Sequence, residues 1–159
     1  MIKLDRTLTC RLRLLHKLTD IESQRAYVVG AGLSMSDGRC LAAVGSFAPL
    51  SVKDLAQKAN LNKGQASRAA QSLSDQGLVH KTASTTDGRG VVLTLTPVGK
   101  LAWQRAMVVV GQRNQAIFGV LSAAEARLLS DFFDRLIDSA KSDARLADIG
   151  QATISGETR

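Results

Sequence analysis

Residues 51–96 constrain the fold more than any other part of the chain, because two helix-start signals are followed at once by the turn-rich, then β-branched stretch TTDGRGVVLTLT. Ser51 precedes an apolar-periodic segment with Asp54 three residues on, and Asn62 precedes another with Gln65 in the same place. Both are capping-box spacings, which predict short helices beginning near Ser51 and Asn62. In the first, Val52, Leu55, Ala56 and Ala59 recur at helical spacing, and Ala59-Asn60-Leu61 forms the break. In the second, Ala66, Ala69, Ala70 and Leu73 make a narrow stripe of mostly small residues, so the two helices can approach closely. Gly77-Leu78-Val79 ends that helix and turns it into a strand. Asp87, Gly88, Arg89 and Gly90 supply a turn, Val91 to Leu95 a second strand, and Thr96-Pro97 an opening for another helix. The predicted fold is mostly α with a small β-wing (α+β): a winged helix-turn-helix.

The face of the second helix opposite the alanine stripe carries Lys63, Gln65, Ser67, Arg68, Gln71 and Ser72, with Asp75 near its far end. Cations and hydrogen-bonding groups on one helical face are what base edges and phosphates require, which points to double-stranded DNA as partner. Lys63-Gly64-Gln65 can offer backbone N–H groups and a cation to a phosphate, and Gln65 can reach a base edge. Ser67, Arg68 and Gln71 suit the major groove, Arg68 matching guanine and Gln71 adenine. Arg89 at the wing tip suits a narrow minor groove, with Asp87 two residues earlier orienting it. Replacing Arg89 by alanine is expected to weaken operator binding without unfolding the protein. Lys53, His80 and Lys81 read as solvated surface as readily as phosphate contacts.

The run LxxxGQASRAAQSLSDQGLVHK…DGRGVVLTLTPVGK resembles the MarR family of winged-helix transcriptional regulators. The resemblance extends over nearly the whole chain: a long N-terminal helix, a helix opening at Leu33-Ser34-Met35-Ser36, the wing and two C-terminal helices follow the family's order. Its strongest matches are Asp87 and Arg89 in the wing and Leu95-Thr96-Pro97-Val98-Gly99. A departure is Gly88, where family members often place a second arginine, so Arg89 carries more of the wing contact. The resemblance implies that the N- and C-terminal helices form a homodimer interface, setting two recognition helices about one DNA turn apart. It also implies a small-molecule effector, often an aromatic or phenolic carboxylate, bound between the dimer helices and the winged domain, and repression as the mode of control.

Charge supports an acidic partner independently, since the chain carries a formal net charge of +7 and a pI near 9.9. Residues 1–121 hold sixteen lysines and arginines against seven acids, and residues 122–159 hold five against seven, which directs the last helix away from nucleic acid. No stretch approaches the roughly 18 uninterrupted apolar residues of a membrane span. MIKLDRTLTCRLRLLHKL alternates cations with leucines and lacks a compact signal-peptide core, so a cytoplasmic location is expected and no membrane partner. Two cysteines and two histidines provide neither a disulfide framework nor a metal-ligand cluster. No cofactor is called for: Tyr27-Val28-Val29-Gly30-Ala31-Gly32-Leu33-Ser34 looks like the start of a dinucleotide fingerprint, but Met35 stands where the third glycine is needed. An ordinary reading has Gly30-Ala31-Gly32 end the first helix and Ser34 cap the next, with Asp37 completing a capping box. No nucleophile elbow, phosphate loop or zinc-protease motif argues for an enzyme.

The flanking segments are amphipathic. Leu4, Leu8, Leu12, Leu15 and Ile21 share a face of a first helix running to about Val29, Pro97 starts a helix through Trp103, Met107, Val110, Ile117 and Phe118, and Ser122 with Glu125 caps a last helix carrying Leu128, Leu129, Phe132, Phe133, Leu136 and Ile137. The expected organisation is a dimerisation helix at 1–32, the winged domain at 33–96, C-terminal dimerisation helices at 97–144 and a frayed tail at 145–159; an intramolecular bundle is the alternative. Candidate effector contacts are Arg11, His16, Arg39 and Trp103, since a carboxylate requires a cation and a ring requires apolar walls. Two other mechanisms stay open. Thiol oxidation at Cys10, flanked by Arg11 and Arg13, is one, although Tyr27 is the lone tyrosine and Asp37 and Cys40 stand where that redox branch places the tyrosines that bond its thiol. A non-specific architectural DNA protein is the other, and it would show salt-dominated binding with no preference for a palindrome.

Overall fold

The computed structural model describes the backbone of residues 2–84 and 90–156. The chain divides into two compact units, Met1–Ile117 and Phe118–Arg159. In the first unit, a 3-10 turn at Leu4–Arg6 precedes α1 (Leu8–Ala31), so Leu4 lies ahead of the helix and not on its apolar face. Thr7 caps α1 through the Cys10 N–H, and the helix closes at Gly32, where the Leu33 N–H reaches the Tyr27 carbonyl at 3.3 Å. This is the glycine-terminated end that the sequence pointed to, two residues beyond Val29.

The helix α2 (Met35–Phe47) starts at Ser34, whose hydroxyl accepts the Asp37 N–H at 3.0 Å. The expected reciprocal bond from Asp37 is not made. Its carboxylate turns instead toward Ser72 and Gln76 on another helix. The helices α3 (Val52–Lys58) and α4 (Lys63–Asp75) both begin with complete capping boxes, Ser51 with Asp54 and Asn62 with Gln65. Between them the chain reverses through Asn60 at φ 54. Asparagine tolerates this left-handed geometry better than most side chains.

Three strands make an antiparallel sheet in the order β1 (Leu50–Ser51), β3 (Val91–Leu95), β2 (Val79–Ala83). Leu50 pairs with Leu93, while β2 and β3 run from Val79–Leu95 out to Ala83–Val91. The Ser84 N–H donates to the Gly90 carbonyl at 2.8 Å, one step past the last paired residues of β2 and β3. The strand β1 carried no sequence signal, because two residues are too few for a period-two pattern.

The core is largely aliphatic. Leu41 and Val44 of α2, Leu55 of α3, Ala66 and Leu73 of α4, and Leu93 of β3 have no exposed surface. The first unit is completed by α5 (Pro97–Phe118), which buries Ala102, Ala106 and Val109. Its start is fastened by Thr96, whose hydroxyl donates to the Gly77 carbonyl at 2.7 Å and accepts the Gly99 N–H at 2.8 Å. Gly77 itself is the left-handed terminator of α4 at φ 69. One hydroxyl thus links the end of α4 to the start of α5. Thr96→Val is expected to cost about 1–3 kcal/mol, since it strands the buried Gly99 N–H and removes the bond to the partly exposed Gly77 carbonyl, whereas Thr96→Ser should cost far less. Urea unfolding of the two variants checks this.

In the second unit, α6 (Ala123–Gly156) begins with Ser122, whose N–H and hydroxyl both bond Glu125 at 2.8 Å and hold its carboxyl below the usual range. The α6 backbone stays helical to Gly156, past residue 144 where the polar composition predicted the tail to begin. Neither glycine nor proline interrupts Arg145 to Ile149, and Arg, Leu and Ala are good helix formers. No described helix is long and apolar enough to cross a membrane.

Candidate nucleic-acid interface and effector cleft

The stripe Ala66, Ala69, Ala70 and Leu73 faces inward, so the opposite side of α4 is fixed toward solvent. Lys63, Gln65, Ser67, Arg68 and Gln71 are all exposed there. The Arg68 guanidinium folds back along the helix: its Nη1 lies 3.7 Å from where a side chain on Gly64 would begin. Lys63 and Arg68 therefore gather near the N-terminal turn, where unpaired N–H groups and the helix dipole also favour an anion. Asp87 and Arg89, the expected wing contacts, lie outside the described residues.

Two of the expected base readers are already engaged. The Gln65 side-chain oxygen accepts the Asn62 N–H at 3.1 Å in the capping box. The Gln71 amide donates to Asp75 at 2.6 Å, and its oxygen accepts Lys81 Nζ at 2.5 Å. A bidentate contact from Gln71 to adenine must therefore compete with bonds inside the protein. Arg68 has the simpler task, with its fork on the open face.

The four candidate effector residues are not brought together. Arg39 lines a cleft of about 410 Å³ formed with Tyr27 of α1, Phe47 of α2, Lys58 at the end of α3, Asn60, and Met107 and Val110 of α5. His16 lies apart in a shallow hollow on α1 with Arg13, Lys17, Asp20 and Ile21. Arg11 is exposed on α1 and lines neither, and Trp103 packs against Gly45, leaving no room for a side chain there. Besides Arg39, the cleft holds a second cation, Lys58, and aromatic walls from Tyr27 and Phe47, none of them among the four candidates. Lys58 Nζ sits 4.6 Å from the Phe47 ring centroid, an attraction that keeps its cation at the cleft wall. Burial raises the Tyr27 hydroxyl above its ordinary pKa, an effect that the nearby Arg39 opposes.

The two cysteines differ in setting. Cys10 is half-buried in the first turn of α1, and Cys40 is buried in α2. Burial, with a smaller contribution from Asp37, pushes the Cys40 thiol from 9.0 up to about 12. Since the folded thiol holds its proton longer than the unfolded one, its contribution to stability is complete below pH 9 and is lost as pH rises toward 12. Cys40→Ala should flatten part of that alkaline decline, as read by denaturant midpoints from pH 8 to 11.

A helix-turn-helix with a β-hairpin wing, an outward cationic face on α4 and long flanking helices is the architecture of winged DNA-binding regulators. The family model for the MarR family matches residues 31–90. The HTH-type transcriptional repressor Rv2887 of Mycobacterium tuberculosis is 29% identical over 112 residues, covering 70% of this chain and 78% of the repressor. The structure of Rv2887 with salicylic acid is similar at TM-score 0.65 and 26% identity, over 85% of this chain and 99% of that one. A MarR/EmrR family regulator from Acinetobacter sp. ADP1 shares the fold at TM-score 0.79 and 21% identity, over 89% and 99% of the two chains. The chain is thus similar to MarR family transcriptional regulators through residues 31–90 and shares their winged helix-turn-helix fold.

Proposed function

We propose that this regulator is a homodimeric repressor, released from a palindromic operator by an aromatic carboxylate seated in the Arg39 cleft. The observation that carries the DNA half of this reading is the exposed face of α4, where Lys63, Ser67, Arg68 and Gln71 stand together above a buried alanine stripe. The wing residues Asp87 and Arg89 complete the interface in this reading, Arg89 entering the minor groove.

Dimerisation is supported by surface that a lone chain leaves wet. Leu8 is 79% exposed, Ile21 69% and Val29 80% on α1, and Leu136 is 65% exposed on α6. Apolar side chains in such number along helices mark a protein interface. The effector half is supported by the pairing of Arg39 and Lys58 with Tyr27, Phe47 and Met107, which supplies cations for a carboxylate and walls for a ring. Salicylic acid bound to Rv2887 gives the probe.

Fluorescence anisotropy at about physiological salt tests both halves. Duplex DNA from the gene's own promoter region should bind roughly a thousandfold more tightly than scrambled DNA. Salicylic acid should weaken the specific complex, and Arg39→Ala should reduce that weakening by about fivefold or more while leaving ligand-free DNA affinity nearly intact. Equal, steeply salt-dependent binding to both duplexes would instead indicate an architectural protein.

A further inference from the structure

The helix α4 packs on the rest of the winged unit chiefly through Ala66, Ala69 and Ala70, with Leu73 the one large side chain in the stripe. Alanine ridges are shallow. They permit close approach but give little relief for one helix to key against its neighbour in rotation. Something directional has to supply that register, and polar contacts do so better than apolar ones.

Such a contact exists at the C-terminal end of α4. Ser72 Oγ donates to the Asp37 carboxylate at 2.8 Å, Gln76 Nε2 donates to the same oxygen at 3.3 Å, and Gln76 also donates to Ser72 Oγ at 3.0 Å. The three side chains close a ring across 35 and 39 residues of sequence. Asp37 is itself anchored, because its N–H is held by the Ser34 cap at 3.0 Å. Among the described residues, the side-chain hydrogen bonds from α4 or its C-cap to another helix both end on Asp37. Hydrogen bonds to a carboxylate are stronger and more directional than neutral ones.

We infer that Asp37 is a positioning residue that fixes the rotation of α4 on α2, and hence the angle at which the recognition helix meets DNA. The inference rests on the DNA-binding reading above. A dimer that holds both recognition helices at a fixed angle must also be strict about the distance between half-sites.

The test uses full-length protein and a site selected from a random duplex pool, compared with the same site carrying one base pair inserted at its centre. Wild type should discriminate against the insertion by about a hundredfold, and Asp37→Ala by less than about tenfold. Asp37→Asn keeps an acceptor oxygen and should restore the strictness. The double variant Ser72→Ala with Gln76→Ala removes the same bonds from the other side, and should behave like Asp37→Ala even if that variant folds poorly. A merely structural role would lower affinity for both sites alike. An unchanged ratio in Asp37→Ala or the double variant would overturn the inference and leave DNA binding standing, whereas a pool with no enriched sequence would overturn both.

Discussion

Replacing Gly99 by alanine is expected to lower stability by about 3 kcal/mol or more, the upper end of what overpacking costs, because the added carbon would strike backbone that cannot move aside. A Cβ at position 99 would lie 1.8 Å from the Leu78 carbonyl oxygen and 2.8 Å from its carbon. Leu78 cannot retreat freely, since that carbonyl accepts the Thr96 N–H at 3.0 Å and its own N–H closes α4 on the Leu73 carbonyl at 2.9 Å. Alanine's advantage of about 1 kcal/mol over glycine in a helix is too small to compensate. Gly111 lies in the same helix with nothing within 4 Å of its added carbon, so Gly111→Ala should be neutral or stabilising by up to about 1 kcal/mol. Urea unfolding followed by helical circular dichroism separates the two, and a Gly99→Ala midpoint close to wild type would mean that α5 does not pass the Leu78 backbone so closely.

The helices were legible because their caps are local. Ser51 with Asp54, Asn62 with Gln65 and Ser122 with Glu125 each lie within four residues, and the structure makes the bond in every case. Asp37 had the same spacing from Ser34 but a better partner 35 residues away, a competition that no local pattern reveals. The exposed face of α4 was equally readable, since burial of an alanine stripe dictates what points outward. Its internal bonds were not: the hold of Asp75 and Lys81 on Gln71 depends on where β2 passes. The cleft was the least legible part, because Tyr27, Arg39, Lys58 and Met107 come from four helices and share no spacing. Only the charge of Arg39 pointed to it. His16 and Trp103 have suitable chemistry, but His16 faces another hollow and Trp103 serves as packing against Gly45.

Arg68→Ala is expected to remove most sequence-specific DNA binding while leaving the fold intact. The side chain is exposed and is not part of the buried core. A bidentate arginine–guanine pair is worth about 1–3 kcal/mol of discrimination, and the homodimer proposed above would make the pair twice. The expected loss is therefore about 2–6 kcal/mol, or from about thirtyfold to more than about ten-thousandfold in affinity at the operator. Non-specific binding should fall much less, because it draws on the whole cationic surface of a chain with net charge +7. Lys63→Ala offers the contrast: taking a cation away from a phosphate near the helix start should weaken all sequences alike and reduce the salt slope by about one per site. Anisotropy titrations on operator and scrambled duplexes at two salt concentrations distinguish the patterns. If Arg68→Ala lowered operator and scrambled binding by the same factor, Arg68 would be a phosphate ligand, and specificity would have to come from Ser67, Gln71 or the wing.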